Sequence, residues 1–145
     1  MEYKHFTTLD QSEELKHLGA NQEGEYFWWV YTKCDEITEN EKYWFISEEE
    51  NAYKGINDSK VVTKLARAFH QGDLDDLLPP IVADEEGFEY GLMVVFAGEK
   101  TFAAGYVDNE ADKQMYISRA KSPLEAKTNL YQRLLTEKVI SPQYV

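Results

Sequence analysis

The chain is short of cysteine, of basic residues and of long apolar runs, and each shortage closes off a class of protein. A single cysteine, Cys34, excludes an intramolecular disulfide, and neither four thiolates nor a Cys/His quartet can be assembled for structural zinc. A reducing compartment is the expectation. No stretch approaches the roughly 20 apolar residues needed to span a bilayer. The opening Met1-Glu2-Tyr3-Lys4-His5 is polar and no apolar segment follows it, so a cytoplasmic protein without a secretory signal or membrane partner is expected. Asn57-Asp58-Ser59 matches a glycosylation sequon, which has no consequence without a secretory route.

Basic residues are the second shortage: 15 Lys and Arg face 27 Asp and Glu, for a net charge of −12. The imbalance is uneven, with 9 basic against 25 acidic residues up to Asp112 and 6 against 2 from Lys113 onward. A body this acidic repels phosphate backbones over a Debye length, which argues against direct nucleic-acid contact.

Catalytic motifs are missing as well. There is no Gly-rich phosphate loop, dinucleotide fingerprint, paired-histidine zinc helix, Ca²⁺ loop or nucleophile elbow. His5, His17 and His70 stand at no ligand spacing, and Cys34 has no histidine near it in sequence, so no catalytic, metal-binding or cofactor-binding residue and no cofactor is expected.

What the chain does have is the means to fold. Of its 145 residues, 43% are hydrophobic and 14% aromatic, well clear of the composition at which disorder wins over burial. Thr8-Leu9-Asp10-Gln11 reads as a capping box opening a short helix, with Leu15 and Leu18 as its apolar stripe and Gly19 as its left-handed stop. Residues 26–32 and 43–46, rich in aromatic and β-branched types, read as strands joined by a hairpin through the polar 33–40 segment. In the first strand Tyr26, Trp28 and Val30 share one face and Phe27, Trp29 and Tyr31 the other. Neither face is polar, so this strand is either central in its sheet or part of an interface.

Glu48-Glu49-Glu50-Asn51 then leads into a loop. Val61, Val62, Leu65, Ala66 and Phe69 recur at helical spacing, which predicts a helix, although the same segment could also run extended into a turn at Gln71-Gly72. A short acidic helix from Asp73 to Leu78 is ended by Pro79-Pro80. Phe88, Tyr90, Leu92, Val94 and Phe96 alternate along a strand, Ala97-Gly98-Glu99-Lys100 turns it into Thr101 to Val107, and a second turn at 108–112 leads to a strand around 115–117. Ser122-Pro123-Leu124-Glu125 combines an N-cap serine, proline at N1 and glutamate at N3, and predicts a final helix that buries Leu124, Tyr131, Leu134 and Leu135 against this meander. The expected fold is therefore a single α+β domain over 1–145, with an antiparallel sheet packed against a C-terminal helix and shorter N-terminal and central helices.

Two groups of side chains are candidates for interaction. Trp28, Trp29 and Trp44 would form a stacking platform if exposed, although aromatic side chains of this size more often fill a core. Asp73, Asp75 and Asp76 would supply convergent carboxylates, but neighbours one and two apart on a helix do not share a face, and acidic residues favour a helix start in any case.

Several short motifs carry a resemblance. Thr8-Leu9-Asp10-Gln11-Ser12 with Leu18-Gly19, then Phe69 before Gly72-Asp73-Leu74 and Leu77-Leu78-Pro79, then Gly105-Tyr106 and Leu124-Glu125-Ala126, resemble the pattern of small proteins encoded in prophages and mobile elements of gut bacteria. Where many of those proteins carry Thr-Ala-Asp-Met after the first helix, this chain has Asn21-Gln22-Glu23-Gly24. The resemblance implies an α+β fold and an element-borne origin, and it brings no catalytic residue.

The functional expectation is a non-enzymatic accessory protein that binds a protein partner. Its sharper form is a decoy whose carboxylates imitate DNA phosphates and occupy a host nucleic-acid-binding protein. Two alternatives stand beside it: a small enzyme or ligand-binding domain whose site is built from residues distant in sequence, and a homo-oligomeric structural protein.

Overall fold

In the computed structural model the described residues are 3–33, 41–53, 62–108 and 113–141. Cys34, Val61, the sequon and most of the two turns expected at 33–40 and 108–112 lie outside them. After a 3-10 turn (Tyr3–His5) come α1 (Leu9–His17), β1 (Phe27–Lys33), β2 (Glu41–Ser47), α2 (Glu49–Ala52), β3 (Val62–Arg67) and α3 (Gln71–Leu77). They are followed by β4 (Ile81–Ala83), β5 (Glu89–Gly98), β6 (Thr101–Asp108), β7 (Lys113–Ala120) and α4 (Pro123–Thr136). The strands form two antiparallel sheets, ordered β2-β1-β3 and β4-β5-β6-β7, so the fold is α+β. Among the described residues no helix is long and apolar enough to cross a membrane.

The helix starts follow from local chemistry. Thr8 Oγ1 accepts the Gln11 N–H at 3.2 Å while Gln11 Oε1 accepts the Thr8 N–H at 2.9 Å, and Gly19 leaves α1 with φ +91°. Ser122 Oγ accepts the Glu125 N–H at 3.1 Å, and Pro123 opens α4 where its missing N–H is not needed. The expected stripe of α4 is buried: Leu124, Tyr131, Leu134 and Leu135 pack with Leu15 of α1, Leu74 of α3, and Tyr90, Ala104 and Tyr106 of the four-stranded sheet.

Three local expectations do not hold. The segment predicted as a helix over 61–69 is β3, because β1 offers it a full antiparallel edge and aromatic burial on both faces. Val62 joins Phe27 and Trp29 on one side of that sheet, whereas Ala66 lies across from Trp28 on the other. The expected turn at Gln71-Gly72 is the first turn of α3, since His70 Nδ1 accepts the Asp73 N–H at 3.2 Å and starts the helix two residues earlier than Asp73. The expected loop at 48–51 holds the one-turn helix α2, whose Ala52 is buried against the Trp29 cluster. Strand β1 is central in its sheet, with apolar clusters on both faces.

The two sheets are joined around Arg67, whose side chain is only 8% exposed. Its Nη1 donates to the Asn21 carbonyl at 3.2 Å, its Nη2 pairs with Asp73 Oδ1 at 3.1 Å, and the guanidinium lies 4.6 Å from the centre of the Phe69 ring. Its Nε has no hydrogen-bond partner and lies under Gly24, where a Cβ would come within 2.2 Å of it. Nearby, the Thr7 N–H donates to the Phe69 carbonyl at 2.8 Å and the Phe69 N–H donates to Thr7 Oγ1 at 3.0 Å. These two bonds anchor the N-terminal segment over the junction.

Gly105 sits where β6 and β7 shift register, and a Cβ there would meet Ile117 Cδ1 at 2.4 Å and the Ile117 Cα at 3.0 Å. Because backbone as well as side chain stands in the way, Gly105→Ala is expected to cost about 2 kcal/mol of stability, within the range for overpacking a close-fitted site, as read from urea unfolding. Tyr106 supplies a second expectation. Burial pushes its phenol from 10.0 up to about 12, and the hydroxyl donates to the Pro79 carbonyl at 2.7 Å. The unfolded chain releases this proton first, so the stability Tyr106 contributes is intact below pH 10 and is lost as pH rises toward 12. Unfolding free energies measured across that interval should fall less steeply in Tyr106→Phe than in the parent.

Candidate functional site

The three tryptophans occupy three different environments. Trp29 is fully buried and its indole N–H donates to the Ser47 carbonyl at 2.9 Å, with Tyr53 edge-on at 5.6 Å. Trp28, the next residue back along a pleated strand, faces the opposite side of the sheet and donates to the Thr7 carbonyl at 3.0 Å. Trp44 is 49% exposed on β2, across from Val30. The three rings form no common platform, because consecutive residues of β1 cannot share a face.

The aspartates separate in the same way. Asp73 Oδ2 accepts the His70 N–H at 3.1 Å and Oδ1 holds Arg67, so this carboxylate is structural. Asp75 pairs with Lys127 of α4 at 2.6 Å, and Asp76 is exposed. Among the described residues, no three His, Cys, Asp or Glu side chains stand close enough to hold a metal ion.

Two surfaces remain that bring exposed aromatic side chains together with charge. The first is the outer edge of β2. The opposite edge of that sheet, β3, is closed by side chains: Lys16 Nζ donates to the Leu65 carbonyl at 2.8 Å and Gln22 Oε1 accepts the Arg67 N–H at 2.9 Å. Among the described residues strand β2 has β1 as its one neighbour in the sheet, and it presents Tyr43, 48% exposed, on one face and Trp44 on the other. Tyr43 stacks on Tyr31 at 6.2 Å, and its hydroxyl donates to the Glu41 carboxylate, a bond that leads the causes raising the phenol above its ordinary range. Carboxylates stand at both ends of the strand, Glu41 at its start and Glu48, Glu49 and Glu50 just beyond Ser47.

The second surface is a groove at the junction of the two sheets. Its larger basin, about 620 Å³, is lined by Lys4, His5, His70, Gln71 and Gly72. A smaller one, about 470 Å³, is lined by Tyr3, Phe6, Leu9, Trp28 and Glu125 among others. Lys4, Ser122 and Leu124 border both basins, which makes them two ends of one depression. Tyr3 meets the Trp28 ring edge-on at 5.5 Å, and Phe6 stands 6.0 Å from the His70 ring. Of these residues only Trp28 was an interaction candidate from the sequence, since the groove gathers positions from 3 to 125 that no local spacing connects.

No family model matches the chain, and no similarity to a curated protein or a solved structure reaches significance. The geometry is therefore the whole basis for a functional reading.

The roles of the three aspartates can be separated by mutation. Asp73→Ala removes both a helix cap and the partner of a buried guanidinium, and should cost about 3 kcal/mol in urea unfolding. Asp76→Ala, by contrast, should stay within about 0.5 kcal/mol of the parent, as an exposed position without such a feature does.

Proposed function

We propose that the protein is a non-enzymatic binding module that docks an extended, basic segment of a protein partner along the outer edge of β2. The observation that carries this reading is the asymmetry of the three-stranded sheet among the described residues, where Lys16 and Gln22 bond to the β3 edge and nothing comparable covers β2, on which two half-exposed aromatic rings stand. Edge strands attract pairing, and proteins normally protect them. A strand added to such an edge gains main-chain hydrogen bonds for affinity, while its alternate side chains meet the two faces for specificity. Here the incoming residues would lie beside Tyr43 on one face and Trp44 on the other, the large amphipathic types that anchor interfaces.

Charge selects the partner. Glu41 and Glu48 to Glu50 flank the edge, and the chain as a whole carries −12, so a segment rich in Lys or Arg is attracted and an acidic one repelled. A host nucleic-acid-binding protein has the required chemistry, and the decoy role and the mobile-element origin belong to this proposal. The same net charge works against pairing of β2 with a second copy of itself.

The test is a heptapeptide of alternating Lys and Val, fluorescently labelled and titrated against the full chain by polarisation. Binding should weaken by at least about tenfold, a loss of about 1.4 kcal/mol, in Trp44→Glu. It should also collapse near 1 M salt, where the Debye length is about 3 Å. Equal binding by parent and variant, or equal binding of a peptide interrupted by proline, overturns the reading.

A further inference from the structure

We infer that the outer face of the four-stranded sheet, the face turned away from α4, binds a second copy of the chain in a two-fold dimer. Alternation along the strands defines this face. Tyr90, Leu92 and Val94 of β5 and Ala104 and Tyr106 of β6 point into the core, so Met93, Val95, Ala103, Gly105 and Val107 point outward. Ile81 lies across from Gly91 on the same side, and the Ile117 side chain fills the space that a Cβ at Gly105 would take. Ile81 is 53% and Val95 42% exposed, and Met93, Val107 and Ile117 join none of the buried clusters. An antiparallel sheet with one solvated face normally sets polar residues outward. In a chain of which 29% is charged, the middle of this face is apolar instead.

Charge identifies the occupant. Glu89 stands at one corner of the face, across from Ala83 of β4, and Arg119 at the opposite corner, level with Ala103 and Val95. Both are exposed. In a two-fold pair each patch meets itself, so a face of one sign repels its copy, whereas this one carries opposite signs on either side of its middle. A two-fold axis lying between the stacked copies and passing near Gly105 sets each Glu89 against Arg119 of the other copy, with Met93, Val95, Val107 and Ile117 enclosed between them. Ala103 and Gly105 keep the middle flat, which suits sheets stacked about 10 Å apart. With strands about 4.8 Å apart and like-facing residues about 6.8 Å apart, three rows on three strands cover roughly 300 Å² in plan. Patches of a few hundred Å² are often functional on a monomer, and two together make an interface at the small, dissociable end of the range.

Sedimentation velocity of the full chain, run from about 1 μM to about 1 mM, should show a reversible shift from one chain to two as concentration rises. Val95→Lys, at an exposed position that the core does not use, should weaken association at least about tenfold. Glu89→Arg and Arg119→Glu each set like charges against one another at both ends of the contact and should weaken it about fivefold. The double variant Glu89→Arg/Arg119→Glu, or an equimolar mixture of the two single variants, should restore it, because opposite signs then meet again. A chain that stays monomeric over the whole range, a dimer indifferent to Val95→Lys, or charge swaps that neither the double variant nor the mixture rescues overturns the inference. Trp44→Glu should leave association unaltered, so this face and the β2 edge stand or fall separately. Loss of the dimer in that variant would put the contact on the β2 edge and equally overturn the inference.

Discussion

Arg67 is the charge around which the two halves of the molecule are arranged. It ends β3 in the three-stranded sheet, yet its partners come from the chain entering β1 and from α3, which belongs to the larger core. A guanidinium removed from water is costly unless nearly all its donors are met, so removing one partner of such a pair is far more damaging than the net gain from the intact pair. Here Asn21, Asp73 and the Phe69 ring meet most of the requirement, and Gly24 lets the backbone close over the rest. The pairing also explains why Asp73 serves the fold: one oxygen holds Arg67 while the other caps the helix that His70 begins.

From that junction the accessible surfaces follow. Because the N-terminal segment is tied to Phe69 through Thr7, the 3-10 turn lies over Trp28 and beside the start of α4, and a depression is left between them. Because the segment after α1 is drawn toward Arg67, its Gln22, together with Lys16 of α1, reaches the β3 edge and closes it. Strand β2 has no comparable cover among the described residues. One set of tertiary contacts therefore produces both the groove and the unequal edges of the sheet.

The β2 edge carries carboxylates at both ends, with Lys42 between them and Glu49 paired with Lys64, whereas the groove is bordered by Lys4, His5, His70 and Glu125. In a protein of net charge −12 the long-range field steers cations, and only a local concentration of basic side chains reverses that within a Debye length.

What the sequence determined by itself was whatever depends on residues a few positions apart. The caps at Thr8 and Ser122, the stop at Gly19, the alternation of Tyr90, Leu92 and Val94 along β5 and the stripe of α4 all rest on bonds or periodicities within a turn or a strand, and each was legible without coordinates, whereas Phe88 and Phe96, expected in the same alternation, are exposed. For β1, aromatic residues on both faces narrowed the strand to a central or interface position, and the pairing with β2 and β3 makes it central. Tertiary structure decided the rest. Val62 to Arg67 carry a spacing compatible with a helix and became a strand because β1 supplied the pairing, a contact more than 30 residues away along the chain. Which tryptophan remained at the surface depended on what packs over each face: the N-terminal segment on Trp28, α2 on Trp29, and neither on Trp44. The groove joins Tyr3 to Leu124, and only the folded chain brings such positions together.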